Sequence, residues 1–97
     1  MYLPETAIFE ALYILTGIAN APRNAAATPM AELIALPGIQ LGNKEAVLNA
    51  LQVWVEQPVL DFADCYHLAL TSALGLDAIY TFDRKMDRYP GVERLEP

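Results

Sequence analysis

The first part of the chain carries apolar residues at helical spacing. Ile8, Leu12 and Leu15 recur at i, i+4 and i+7, which is the spacing of a buried stripe on one face of a helix. Pro4 suits the start of this helix, because the N–H that it lacks would have no partner in the first turn. Gly17 is a residue at which the helix can end. The pattern therefore predicts a first helix between Pro4 and Gly17.

Proline and glycine interrupt the segment that follows. Residues 18–27 are predicted to form a loop. Thr28-Pro29 has the pattern of an N-cap followed by proline at the first helical position, so a short second helix is predicted from there to about Leu36. Pro37-Gly38 then ends this helix, and residues 39–41 are predicted to form a short strand.

The second half of the chain predicts two further helices and two strands. The helices are predicted over residues 43–58 and 61–74, where apolar residues again follow helical spacing. Residues 78–82 are a β-rich apolar run of the length of a buried strand, and residues 92–95 are a candidate last strand. This alternation favours an α/β domain with a parallel sheet, with a helical bundle as the competing architecture.

Length, composition and charge narrow the class of protein. The chain of 97 residues corresponds to one small domain, and 55% apolar with 19% charged residues exclude a disordered, highly charged polypeptide. Twelve acidic against six basic side chains give a net charge of −6, which argues against tight non-specific binding to nucleic acid. A single cysteine excludes an intramolecular disulfide and indicates a reducing compartment. With no apolar run near the ~20 residues that span a bilayer and no secretory signal pattern, a cytoplasmic protein is predicted.

Four acidic residues are candidates for chemistry. Glu10 lies in mid-helix with no cation three or four residues away, so it is either a functional acid or a solvent-exposed helix position. Asp61 and Asp64 have the spacing of an imperfect capping box, yet that spacing also places both carboxylates on one face of the helix. Asp83 directly follows the predicted strand 78–82, at the end where open α/β sheets bind ligands, and its alternative role is an N-cap.

Carboxylates that converge from separate elements need a positive charge to neutralise them. A hard divalent cation suits such oxygen ligands, and Mg²⁺ takes one or two carboxylates while it keeps several waters. A site of this kind can activate water and stabilise in-line attack on a phosphodiester. Arg84, Lys85 and Arg88 place three of the six cations within one short segment, so they are candidates for phosphate contacts, with a solvated basic turn as the alternative.

Several segments together resemble the PIN-domain nucleases, and within them the VapC-type toxins of bacterial toxin–antitoxin pairs. The resemblance covers almost the whole chain and is carried by residues 4–15 (PETAIFEALYIL), by residues 36–39 (LPGI) and above all by residues 61–83. In that last segment the matching positions are Asp61-Phe62-Ala63-Asp64, Leu68-Ala69, Gly75 and Thr81-Phe82-Asp83, with Gly91-Val92 after them.

The resemblance implies a three-layer PIN-like fold, with a parallel sheet flanked by helices, and cleavage of RNA that depends on Mg²⁺ or Mn²⁺. Glu10 matches the acid on the family's first conserved helix, Asp64 the acid at the start of the later helix and Asp83 the acid after the strand. These three are therefore the implied catalytic and metal-binding residues, and Asp61 is an accessory metal candidate. Thr81 matches the polar residue that accompanies the last acid and, like the three cations, is a candidate for substrate binding.

One element of the family has no counterpart in this sequence. Family members begin with a central strand that ends in an aspartate, whereas residues 1–3 here match the end of the second strand. The chain is therefore expected to be a single truncated PIN-like domain over residues 1–97, with the first central strand missing. Unpaired strand edges and exposed apolar surface then predict association, as a homo-oligomer, a strand-exchanged dimer or a complex with an antitoxin protein.

Two other functions remain open from the sequence. The first is a catalytically inactive PIN remnant that acts as an oligomerisation or antitoxin-binding module. The second is an unrelated helical interaction domain, in which Asp61, Asp64 and Asp83 are only helix caps. This last alternative predicts that no strand forms at residues 78–82.

Overall fold

A computed structural model describes residues 1–76, 78–81, 84–89 and 91–96. In this part of the chain the fold is mixed α/β, with four α-helices and a short parallel sheet. The chain divides into two compact units, Met1–Lys44 and Glu45–Pro97. Among the described residues, no helix combines the length and the apolar character needed to cross a membrane.

The first unit opens with two helical segments in direct succession. Helix α1 (Glu5–Tyr13) buries Ile8 and Leu12, as the apolar spacing predicts. A π-helical turn (Ile14–Ile18) follows α1 without a break. Leu15, the third member of the predicted stripe, is 37% exposed. The reason is that i→i+5 bonding changes the angular spacing of side chains, so the i+7 position no longer continues the buried face.

Helix α2 (Arg23–Ala35) begins well before the predicted position at Thr28-Pro29. The loop prediction for residues 18–27 is therefore wrong in its second half, and Pro22, not Thr28, occupies the N-cap position. Ala25-Ala26-Ala27 explain the difference, since alanine has the highest helix propensity and two of the three alanines are also buried. Pro29 lies inside α2 and removes one backbone hydrogen-bond donor from it, yet the helix continues to Ala35.

The predicted strand at residues 39–41 forms a single parallel bridge between Tyr2 and Gln40. The backbone N–H of Leu3 donates to the carbonyl oxygen of Gln40 at 2.7 Å, and the N–H of Gln40 donates to the carbonyl oxygen of Met1, also at 2.7 Å. The position was predicted correctly, but the pairing is too short to count as a strand.

Helices α3 (Lys44–Glu56) and α4 (Phe62–Ala73) supply most of the core of the second unit. Trp54 and Phe62 pack edge to face, with ring centroids 5.9 Å apart, and both side chains belong to the core. The buried side chains of these helices are Ala46, Val47, Ala50, Leu51, Trp54, Phe62, Cys65, Leu68 and Ala69.

Helix α4 ends where the sequence indicates. Gly75 has a φ of +78°, in the left-handed region that favours glycine, and its N–H donates to the carbonyl oxygen of Ser72 at 3.0 Å. The N–H of Leu76 donates to the carbonyl oxygen of Thr71, also at 3.0 Å. These two bonds satisfy carbonyl groups that the helix end leaves without intrahelical partners.

A parallel strand pair follows α4 and contacts it. Strand β1 (Ala78–Tyr80) pairs with strand β2 (Glu93–Leu95), with residue 78 opposite 93 and residue 80 opposite 95. A 3₁₀ helix (Arg84–Arg88) lies between the two strands in the sequence. The strand at 78–80 confirms the α/β prediction in its coarse form, whereas the helical bundle and the unrelated helical interaction domain were wrong.

Candidate functional site

Asp61 and Asp64 form the N-terminal cap of α4. Asp61 has an extended backbone, and its Oδ1 accepts a hydrogen bond from the backbone N–H of Asp64 at 2.8 Å. The carboxyl group of Asp64 in turn hydrogen-bonds to the backbone of Asp61. These reciprocal bonds are those of a capping box with aspartate at its third position. The capping interpretation is therefore confirmed, and the same contacts bring the two carboxyl groups together.

The environment of Asp64 opposes its negative charge. Burial raises the pKa of the Asp64 carboxyl above its ordinary value, and the charge of Asp61 and a side-chain hydrogen bond with it raise that pKa further. The backbone hydrogen bond from Asp61 and the positive charge of Lys85 lower the pKa, with smaller effects. A cation bound at this carboxyl would favour the ionised form and so act against the dominant causes of the shift.

The 3₁₀ helix carries the densest group of positive charges in the chain. Arg84, Lys85 and Arg88 are exposed, whereas Met86 is buried and holds the helix against the second unit. Residues three apart eclipse one another in a 3₁₀ helix, so Lys85 and Arg88 share one side of it. Since Lys85 acts on the charge of Asp64, the basic helix and the Asp61–Asp64 pair belong to one region of the second unit.

Thr81 occupies the position directly after β1. It is half-buried, and its N–H donates to the carbonyl oxygen of Leu95 at 2.9 Å. Its own carbonyl oxygen accepts a hydrogen bond from Nη1 of Arg94 at 3.3 Å. The backbone of Thr81 is thus held on both sides by neighbouring residues of β2.

Glu10 and Asp83 are the other two acids of the predicted set. Glu10 is exposed on α1, in the first unit. Asp83 lies outside the described residues. The convergence of Glu10, Asp64 and Asp83 around one ion therefore stays a prediction.

The described carboxyl groups have the chemistry of a site for a hard cation. Asp61 and Asp64 offer oxygen donors side by side, and Mg²⁺ binds proteins through one or two carboxylates while it keeps several waters. The pair therefore fits such an ion as part of its ligand set. Over the ranges that the structure describes, no group of three or more His, Cys, Asp or Glu side chains could hold a metal ion.

Arg94 is the residue of this region that the sequence did not single out. Its side chain is 13% exposed, and its guanidinium contacts Asp87, Glu96 and the backbone of Thr81. The local pattern marked Arg94 only as part of a candidate strand. The sequence separations between Arg94 and these three partners follow no helical or strand periodicity. No signal in the sequence therefore identifies the contacts of Arg94.

Comparison with protein families gives one finding. The family model described as PIN domain matches residues 1–92 of this chain. Comparison with curated proteins and with solved structures gave no match.

The raised pKa of Asp64 predicts a change in the pH dependence of stability. Because this pKa is higher in the folded than in the unfolded chain, the free energy of unfolding falls as the pH rises from about 4 through the folded-state pKa. Asp64→Asn removes the titrating group, so we expect this variant to lose that part of the decline. Urea unfolding in the presence of a chelator, from acidic to neutral pH, measures the effect.

Glu56→Gln is the control for the loss of one negative charge, since Glu56 is an exposed residue at the end of α3. The decline with pH should be smaller in Asp64→Asn than in this control. Identical pH profiles for the two variants would contradict the assignment.

Proposed function

This chain belongs to the PIN domain family, and from that premise we propose that it is a metal-dependent endoribonuclease of the VapC toxin type. PIN domains have a nuclease-type fold and generally use divalent metals, and this chain matches the family over residues 1–92. We propose RNA as the substrate, Mg²⁺ or Mn²⁺ as the metal and a toxin as the biological role.

One observation carries the proposal beyond family membership. Asp64 is a partly buried carboxyl group beside a second carboxyl, that of Asp61, and both the burial and the neighbour raise its pKa. Perturbed carboxyl groups of this kind are typical of functional sites, because stability alone does not favour them. A divalent cation bound at this pair would supply the positive charge that favours both ionised carboxylates.

Four acidic residues are the proposed ligands of the metal ion. Glu10, Asp64 and Asp83 would hold Mg²⁺ or Mn²⁺, with Asp61 as an accessory ligand. When bound, such an ion activates water and stabilises the charge that develops at a phosphodiester under attack. The chain's own contribution at Asp64 is orientation, because the reciprocal hydrogen bonds with Asp61 restrict its carboxyl group.

Binding of the RNA would fall to the exposed cations of the 3₁₀ helix. Arg84, Lys85 and Arg88 have the charge for phosphate contacts, and Thr81 lies at the end of β1 in the same unit. The net charge of −6 repels a polyanion elsewhere on the chain. We therefore propose that RNA contacts concentrate at this helix.

The test of the proposed activity is cleavage of RNA in millimolar Mg²⁺ or Mn²⁺. Asp64→Asn, Glu10→Gln and Asp83→Asn are each expected to lower the rate by about 100-fold or more, because each would remove charge that stabilises the transition state. Glu56→Gln is the matched control and is expected to keep the wild-type rate. An inert wild-type chain with both metals would contradict the proposal and favour the alternative of an inactive module.

RNA binding is tested separately from cleavage by titration in the presence of a chelator. Arg84→Gln, Lys85→Gln and Arg88→Gln should weaken binding about equally for all sequences and lower the slope of log K against log salt by about 1 each. Lys44→Gln removes a cation outside the 3₁₀ helix and is the control. Equal effects of Lys44→Gln and the three helix variants would show that only net charge matters.

A second candidate function, a partner-binding module, is favoured by exposed apolar side chains in the first unit. Tyr13 and Ile18, at the end of α1 and in the π-helical turn, are 70% and 75% exposed. Apolar side chains clustered at a surface are typical of protein interfaces. We propose a second copy of this chain as one partner. The VapC resemblance adds an antitoxin protein to the proposed partners.

Mass measurement by light scattering at micromolar concentration tests the self-association. We expect a mass above the 10.7 kDa of one chain, and Tyr13→Ser with Ile18→Ser should lower it. A strand-exchanged dimer, in which an extended segment of one copy pairs with a strand edge of the other, would keep its mass in this double variant. A wild-type mass equal to that of one chain would contradict both forms.

A further inference from the structure

Arg94 connects three parts of the second unit through one guanidinium group. Its Nε donates to Oδ1 of Asp87 at 2.9 Å, and its Nη1 donates to Oε1 of Glu96 at 3.1 Å. The same Nη1 donates to the carbonyl oxygen of Thr81 at 3.3 Å. Arg94 therefore links β2 to the end of β1 and to the 3₁₀ helix.

The ion pairs of Arg94 with Asp87 and with Glu96 differ in the segment that each one restrains. Asp87 lies on the 3₁₀ helix among Arg84, Lys85 and Arg88, whereas Glu96 directly follows β2. The two carboxylates are exposed to nearly the same degree, 55% and 52%. They are thus matched in charge and solvation, but only the Asp87 contact restrains the basic helix.

The apolar contact of the 3₁₀ helix cannot by itself set its rotation. Met86 is buried and holds the helix against the unit, but apolar burial is non-directional. The planar guanidinium of arginine offers donors in a rigid fork, so an ion pair with Asp87 is directional. This pair and the buried Met86 are two contacts that restrain the rotation of the helix about its axis.

Stability alone gives little reason for this cluster. Ion pairs with half-exposed carboxylates contribute little, because solvent and salt screen them. Their geometric effect does not depend on a large net energy. The contacts of Arg94 are therefore better explained by their effect on the orientation of the 3₁₀ helix.

We propose that Arg94 is a positioning residue for RNA binding: through Asp87 it sets the rotation of the 3₁₀ helix and thereby directs Arg84, Lys85 and Arg88 toward the phosphate backbone. This inference rests on the proposed function, in which those three cations contact RNA. Arg94 acts through the helix and needs no contact with RNA of its own.

Three single variants test the inference by RNA titration in the presence of a chelator. Asp87→Asn removes a negative charge beside the cations, so electrostatics alone predicts tighter binding, whereas loss of positioning predicts weaker binding. Glu96→Gln removes a matched charge from the same arginine and should bind at least as well as wild type. Arg94→Lys keeps the net charge but loses the fork.

We expect Asp87→Asn and Arg94→Lys to bind RNA several-fold more weakly than wild type, and to lower the slope of log K against log salt by about 1. Hydrogen exchange gives a second readout without RNA or metal. Amides of residues 84–88 should exchange faster in these two variants than in Glu96→Gln, because their helix is less restrained.

The outcomes separate this inference from the proposed function. If Asp87→Asn binds as tightly as Glu96→Gln while the cation variants still weaken binding, Arg94 is not a positioning residue and the RNA-binding proposal stands. If the wild-type chain does not bind RNA, both are overturned. Unchanged exchange over residues 84–88 in both Asp87→Asn and Arg94→Lys also overturns the inference.

Discussion

The reciprocal bonds between Asp61 and Asp64 are the contact on which both α4 and the candidate chemistry depend. A helix start leaves backbone N–H groups without partners, and the Asp61 side chain satisfies one of them. The positive end of the helix dipole favours acids at these positions. Even so, partial burial and the neighbouring carboxyl raise the pKa of Asp64. The geometry that begins the helix thus also creates a carboxyl group whose charge a cation would stabilise.

Charge in this chain is distributed unevenly, and that constrains any contact with a polyanion. The net charge is −6, yet three of the six cations lie on the 3₁₀ helix. A strongly basic protein can hold nucleic acid in many orientations, because its charge is spread over the surface. An acidic protein depends on where its few cations point. The restraint of one short helix by Arg94 therefore has more influence here than its small effect on stability would indicate.

The elements that were predicted correctly are those with local chemical causes. Asp61 caps α4 and Gly75 ends it, because capping bonds and a positive φ involve only nearby residues. The prediction that α2 begins at Thr28-Pro29 was wrong, because the alanines before this pair favour the helix and α2 continues past the proline. The π-helical turn was not predicted, and residues 39–41 form one bridge where a strand was expected, because pairing depends on a partner segment.

The sequence by itself determined the family, the order of the four α-helices and of the strand pair after them, the cap of α4 and the group of cations at residues 84–88. These features are encoded by motif, by periodicity or by neighbours within one helical turn. Only the tertiary structure decided that the pKa of Asp64 is raised and that Arg94 links Thr81, Asp87 and Glu96. Burial and directional contacts between separate elements arise from packing, and no spacing along the chain records them.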